Sequence, residues 1–317
     1  MTKATFDIVF CADDKYSNYL PVTILSIVDN NPDAIIHIHI LTDYISKKNR
    51  KRLIELSDQY PELDIQILTI DDSEIKKLPT TSGWTSHTWY RILIPRILSS
   101  DISKVLYLDV DTLVVGDLSE LFHINLEYKS IAASPEANYI NPEYFKRLCY
   151  NQEEGYICAG VMMMNLNYWR DNNLTEKSLD WAHNNKNVIK MLDQDVLNYI
   201  CHDSKIILPL KYGVLQWYFT NDEFYKPPFI CQIEECLTKP VIIHYAFTAP
   251  WFKDSQRHIF TDKWLAYNQN LKHPVRIRYK AKGLDKIKII MHDMLYSSQR
   301  SPSISVSEII KKINKNN

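Results

Sequence analysis

Glycine is scarce in this chain, with six in 317 residues. The glycine-rich turn that lets a backbone close on a phosphate is missing: residues 11–16, after the first strand-like run, read Cys-Ala-Asp-Asp-Lys-Tyr. Cysteine offers no framework either. The six cysteines (11, 149, 158, 201, 231 and 236) form no C-x-x-C pair, which argues against a zinc ribbon or a secreted disulfide scaffold and fits reduced thiols. No apolar run approaches the ~18 residues of a membrane span, and no low-complexity tract or repeat is visible. Met1 leads almost at once into the strand-like Phe6-Asp-Ile-Val-Phe10, without a basic and then apolar leader. These absences lead us to expect a cytoplasmic globular protein. Net charge is only −1, but from Lys272 onward eleven Lys/Arg face three Asp/Glu. The rest is net acidic, which excludes a broad nucleic-acid surface.

What is present is an alternation. Apolar runs at 6–11, 35–41 and 63–70 are separated by helical patterns at 20–28 and 46–60, with Ser46 placed to cap the second. A helix over 86–98 leads into a strand at 105–108. Strand–helix alternation means crossover connections and a mostly parallel sheet, whose ligands bind outside the carboxyl ends of the strands. Asp13 and Asp14 follow the first strand there, and Asp109 and Asp111 end the fourth in Leu108-Asp-Val-Asp-Thr-Leu-Val114. Residues i and i+2 of a strand share a face, so the two carboxylates of the second pair are expected to converge. Two ionised carboxylates that close repel unless a cation lies between them, and hard oxygen ligands suit Mg²⁺ or Mn²⁺ with phosphate oxygens. A solvated acidic turn is the alternative for that run alone, and a helix cap the alternative for Asp13 and Asp14. Further on, 155–166 reads as a turn and a buried strand, 177–185 and 195–201 as helices, and 241–245 as a short strand carrying His244.

In order, Asp7-Ile-Val-Phe-Cys-Ala-Asp-Asp-Lys-Tyr16, Thr88-Trp-Tyr-Arg-Ile92, Leu106-Tyr-Leu-Asp-Val-Asp111, Ala159-Gly-Val-Met-Met-Met-Asn-Leu166, Leu192-Asp-Gln-Asp195 and Ile243-His-Tyr245 with Pro250-Trp251 resemble the family 8 glycosyltransferases. That group includes bacterial lipopolysaccharide and capsule α-galactosyl- and α-glucosyltransferases and glycogenin. The resemblance covers roughly residues 6–252. It implies an α/β GT-A fold, a Rossmann-like mixed and mostly parallel sheet with flanking helices, over a domain spanning 1–271. It also implies a UDP-galactose or UDP-glucose donor, a divalent metal (Mn²⁺, with Mg²⁺ as second choice), retention of anomeric configuration, and a glycan or glycolipid acceptor such as lipopolysaccharide or capsule.

The same resemblance assigns roles. Asp109, Asp111 and His244 would hold the metal, and the imidazole favours Mn²⁺ over Mg²⁺. Cys11, Ala12, Asp13, Lys15, Tyr16, Arg91, Val110, Glu136, Cys158 and Ala159 would line the nucleotide-sugar, with Asp13 on the uracil N–H and Tyr16 on its ring. Gln194 and Asp193 would face the anomeric carbon. In a double displacement Asp193 is the nucleophile, because an amide is a poor one; with front-face attack both residues position the sugar and support its positive charge.

Four positions depart from the family's pattern. Cys158 stands for the usual Asn, Glu136 for Asp and Lys15 for a polar residue, and the 245–251 loop lacks the customary Gly and Lys. A donor-binding relative without catalysis is therefore one alternative. A haloacid-dehalogenase-type phosphatase using Asp109 as nucleophile is another, disfavoured because that motif normally opens a chain. The segment 272–317 reads as basic and amphipathic, suited to peripheral contact with an anionic membrane on the cytoplasmic face.

Overall fold

The first three apolar runs become parallel strands, β1 (Ala4–Cys11), β2 (Ala34–Thr42) and β3 (Leu63–Thr69), in register from Ala4↔Ala34 to Cys11↔Leu41. Their connections are the helices Leu20–Asn30 and Lys47–Ser57. Ser46 caps the second, its hydroxyl accepting from Asn49 N. A computed structural model describes residues 3–80, 86–137, 139–283, 285–286 and 304–316. The middle of the tail expected to be basic and amphipathic, 287–303, lies outside the described residues, as do residues 81–85.

β4 (Lys104–Leu108) lies parallel to β1 on the side away from β2, so the direction of sheet growth reverses between β1 and β4. This is the switch point at which open α/β sheets bind their ligands. β5 (Thr112–Val114) leaves the main sheet directly after β4. The sheet continues through β6 (Ile131–Pro135), β7 (Ile157–Asn165) and β8 (Lys205–Ile207), in the order β3-β2-β1-β4-β7-β6-β8. β7 runs antiparallel to β4 and to β6, which makes the sheet mixed. A second sheet pairs β5 with β10 (Ile242–His244), and β10 with β9 (Val214–Leu215). One apolar layer lies between the main sheet and the helices Leu20–Asn30 and Lys47–Ser57. The other holds Trp89, Ile92 and Trp169 against the opposite face. The terminal helix, Val306–Asn316, seats Ile309 and Ile313 against Phe224 and Ile233, so this apolar side is covered by the body of the protein.

Asp195 holds the loop that precedes the Asp193–Ile200 helix. Its Oδ1 accepts from Arg147 Nη2 (2.8 Å) and the Tyr156 hydroxyl (2.7 Å), and its Oδ2 from Arg147 Nη1 (2.6 Å), Lys190 N (2.7 Å) and Met191 N (2.8 Å). Burial works against the charge on Asp195, but Arg147 and these donors outweigh it and hold the carboxyl below its ordinary range. A depressed carboxylate contributes stability above its unfolded pKa and loses it as pH falls through the folded value. Asp195→Asn should cost about 3–5 kcal/mol in urea unfolding at neutral pH, as when one partner of a buried ion pair is removed. The gap to the native protein should narrow on acidification below about pH 4. A gap that stays constant to low pH would show that the ion pair is not its source.

Candidate functional site

The two carboxylates meet through a turn and not along one strand face. β4 ends at Leu108, and Thr112 closes the turn by donating both its N–H (3.1 Å) and its hydroxyl (2.8 Å) to Asp109 O. From below, Thr23 Oγ1 donates to Thr112 O at 2.8 Å. β-type residues lie on both sides, and the break between them is marked by the Thr112 N–H and hydroxyl bonds back to Asp109 O. Antiparallel pairing of β10 with β5 sets His244 opposite Thr112, and Tyr245 N donates to Asp111 O at 2.8 Å. His244 Nε2 thereby lies 3.3 Å from Asp111 Oδ1 and 3.7 Å from Asp109 Oδ2. One ligand atom from each of the three residues falls within 4.8 Å of the others.

β7 forms the floor. Asp109 N donates to Gly160 O at 2.8 Å. A Cβ at Gly160 would stand 2.2 Å from His244 Cε1 and 2.7 Å from Asp109 Oδ2, so only the bare backbone leaves room for the cluster. Burial disfavours charge on His244, but Cys158 and Asp111 outweigh it and hold its proton affinity well above the ordinary value. A proton on His244 and a dication between the carboxylates are thus alternative answers to the same negative charge. Two carboxylates and an imidazole over bare backbone fit a divalent cation, and the nitrogen ligand suits Mn²⁺ better than Mg²⁺.

Arg91, on the helix Tyr90–Ile97, is 5% exposed. It donates from Nη2 to Asp109 Oδ1 (3.0 Å), from Nη1 to Ala159 O (2.7 Å) and from Nε to Thr88 O (3.1 Å), and its guanidinium lies 4.4 Å from the Tyr107 ring centroid. The Tyr107 hydroxyl also donates to Asp109 Oδ1, at 2.6 Å. Both donors occupy one oxygen of Asp109, which leaves Oδ2 for the cluster. Arg91 Nε is 3.0 Å from Asp193 Oδ2. Burial pushes Asp193 up to about 6; Arg91 opposes this and Asp109 adds to it. Gln194 Oε1 accepts from Ala159 N at 3.1 Å, which ties the start of its helix to β7.

Cys11, buried at the end of β1, feels the charges of Arg91, Asp109 and Asp193, and burial pushes its thiol up. Cys158 Sγ lies 3.6 Å from His244 Nδ1. Ala12 N donates to Leu41 O, and Val110 is buried in the core below the turn. Asp13 Oδ1 accepts from Tyr16 N at 2.7 Å, so one oxygen serves as a helix cap. Tyr16 sets its ring edge against Trp251 at 6.3 Å, and burial with Asp111 and Asp13 raises its hydroxyl pKa. Lys15 is exposed, its ammonium 5.3 Å from the Tyr16 centroid. Glu136 is buried beside the start of β7, its N–H donating to Tyr156 O at 3.0 Å. Three features went unread: Gly160 as the floor, Tyr107 as partner of Asp109, and the Cys158–His244 contact. Gly160 could have been found as the lone glycine in an otherwise continuous apolar strand, and Tyr107 as the residue two before Asp109.

The sequence pattern of Glycosyl transferase family 8 matches residues 7–255. A lipopolysaccharide 1,2-glucosyltransferase of Escherichia coli is 30% identical over 78% of this chain and 74% of its own. A lipopolysaccharide 1,3-galactosyltransferase of Salmonella typhimurium is 27% identical over 78% of this chain and 73% of its own. A Haemophilus influenzae relative is 32% identical, but the shared stretch spans only 59% of its length and 62% of this chain. The crystal structure of the galactosyltransferase LgtC with donor and acceptor sugar analogues superposes with a TM-score of 0.76 at 24% identity, over 85% of this chain and 98% of that one, and establishes the GT-A fold.

Gly160→Ala should lower Mn²⁺ affinity by roughly 10–100-fold, the usual cost of losing a group that orients ligands, with far-UV circular dichroism unchanged. Unaltered affinity by calorimetry would place metal binding somewhere other than this cluster.

Proposed function

The chain belongs to glycosyl transferase family 8, and on that premise we propose that it moves a hexose, glucose or galactose, from a UDP-sugar to a glycan of the lipopolysaccharide or capsule type, with retention and with a dication, Mn²⁺ before Mg²⁺, at Asp109, Asp111 and His244. The observation that carries this reading is the convergence of those three residues over bare backbone, next to the buried Arg91–Asp193 pair.

The bound dication would supply charge neutralisation at the diphosphate as it leaves. The protein's own groups do the rest. Arg91 and Tyr107 fix Asp109 so that Oδ2 is presented to the cluster. Tyr16 and Asp13 supply an aromatic face and an acceptor for the base. Asp193 is placed as a positioning group: its contact with Arg91 disperses the charge a nucleophile needs and keeps a carboxylate available to support positive charge at the anomeric carbon. Gln194, tied to Ala159, sets the other side of that carbon. Among the described residues no helix is long and apolar enough to cross a membrane.

Incubated with UDP-glucose or UDP-galactose and no acceptor, the protein should release UDP slowly with Mn²⁺ and not with EDTA. Asp111→Asn should cut that release about 100-fold or more, the scale of losing a main source of transition-state charge stabilisation. Release that persists in EDTA or in Asp111→Asn would overturn the metal assignment.

A further inference from the structure

A cleft of about 570 Å³ opens between the segment after β6 and the segment 221–229. One wall is Tyr139. Its ring meets Phe229 edge-on at 5.2 Å, and it lies so close over Gly155 that a Cβ there would stand 2.2 Å from it. Gly155 has φ +65°, a conformation that also favours glycine, so ring and backbone fix each other. Opposite, exposed Pro227 and Pro228 add flat apolar faces. Asn141 and Gln152 bring amides to the same space. Its one acidic and one basic side chain, Glu223 and Lys226, pair with each other at 2.7 Å, so the cleft has no net charge. Aromatic and proline faces with a few amides suit the C–H faces and hydroxyls of an uncharged saccharide, and not a phosphorylated headgroup.

The cleft and the candidate site border one apolar cluster: Tyr139 and Phe229 pack in the same cluster as Cys158, whose Sγ lies 3.6 Å from His244 Nδ1. β7 links the two places: from Gly155 at the cleft to Gly160 under the metal cluster is roughly 17 Å at about 3.3 Å per residue. That is too far for the sugar that receives the hexose and right for one a few units back along the same glycan. We propose that this cleft is a distal acceptor subsite, which grips neutral sugar units of the acceptor glycan away from the point of transfer. The proposal rests on the transferase reading above.

The test uses the full chain with Mn²⁺, the preferred UDP-hexose, and a ladder of oligosaccharides, disaccharide to pentasaccharide, released from lipopolysaccharide core by mild acid. Acceptor KM should fall about tenfold up the ladder, near 1.4 kcal/mol. Tyr139→Ala should flatten the dependence, Tyr139→Phe should keep it, and Gln152→Ala, at an exposed position that carries little folding risk, should weaken it. Transfer with no length dependence in the native protein, or a dependence that survives both alanine variants, would overturn the subsite alone. Failure to release UDP from any donor would instead overturn the transferase reading, and the subsite with it.

Discussion

The constraint on which the site depends is electrostatic crowding. Asp109 and Asp111 lie one residue apart and share the neighbourhood of one buried imidazole. Two ionised carboxylates in such a setting repel each other and push the turn apart. The fold meets the problem on one side only. Arg91 and Tyr107 commit one oxygen of Asp109 to the interior, and the remaining oxygens face His244. This residual negative charge is what a divalent cation would answer. The buried guanidinium links the cluster to Asp193, so the proposed metal ligands and the residue expected at the anomeric carbon form one network.

The architecture delivers these groups from separate parts of the chain. Parallel strands bring the ends of β1 and β4 together at the switch point. The turn after β4 sends the chain into a second sheet, and that sheet returns His244. Antiparallel β7 supplies the floor, where Gly160 carries no side chain to obstruct the cluster. The buried Asp195–Arg147 pair holds the loop that begins the Asp193–Ile200 helix. A small cluster of ligands is thus held by long-range pairing on three sides, which is how a site on turns can stay rigid.

Much of this was legible in order and less of it in geometry. Strand–helix alternation revealed β1 to β4, their parallel sense and the Ser46 cap, because apolar periodicity and capping are local. The spacing of Asp109 and Asp111 pointed to convergence, but the route through a turn depends on Thr112 bonding back to Asp109 O, which no strand pattern encodes. The reversal of β7 was not read, since a fully buried strand looks alike in either direction. The partners of Arg91 could not be read at all: Ala159 and Asp193 lie far along the sequence. Asp13 was read both as a base acceptor and as a cap, and one oxygen is occupied as a cap while the residue stays at the carboxyl end of β1.

The central claim is that Asp109, Asp111 and His244 bind a dication that in turn holds a nucleoside diphosphate. Crystals grown with Mn²⁺ and UDP, measured above and below the manganese absorption edge, test it directly. The account predicts one strong anomalous peak in contact with Asp109 Oδ2, an Asp111 oxygen and His244 Nε2, with diphosphate density against it. Diphosphate bound elsewhere, or His244 paired to the carboxylates with no anomalous peak between them, would contradict it.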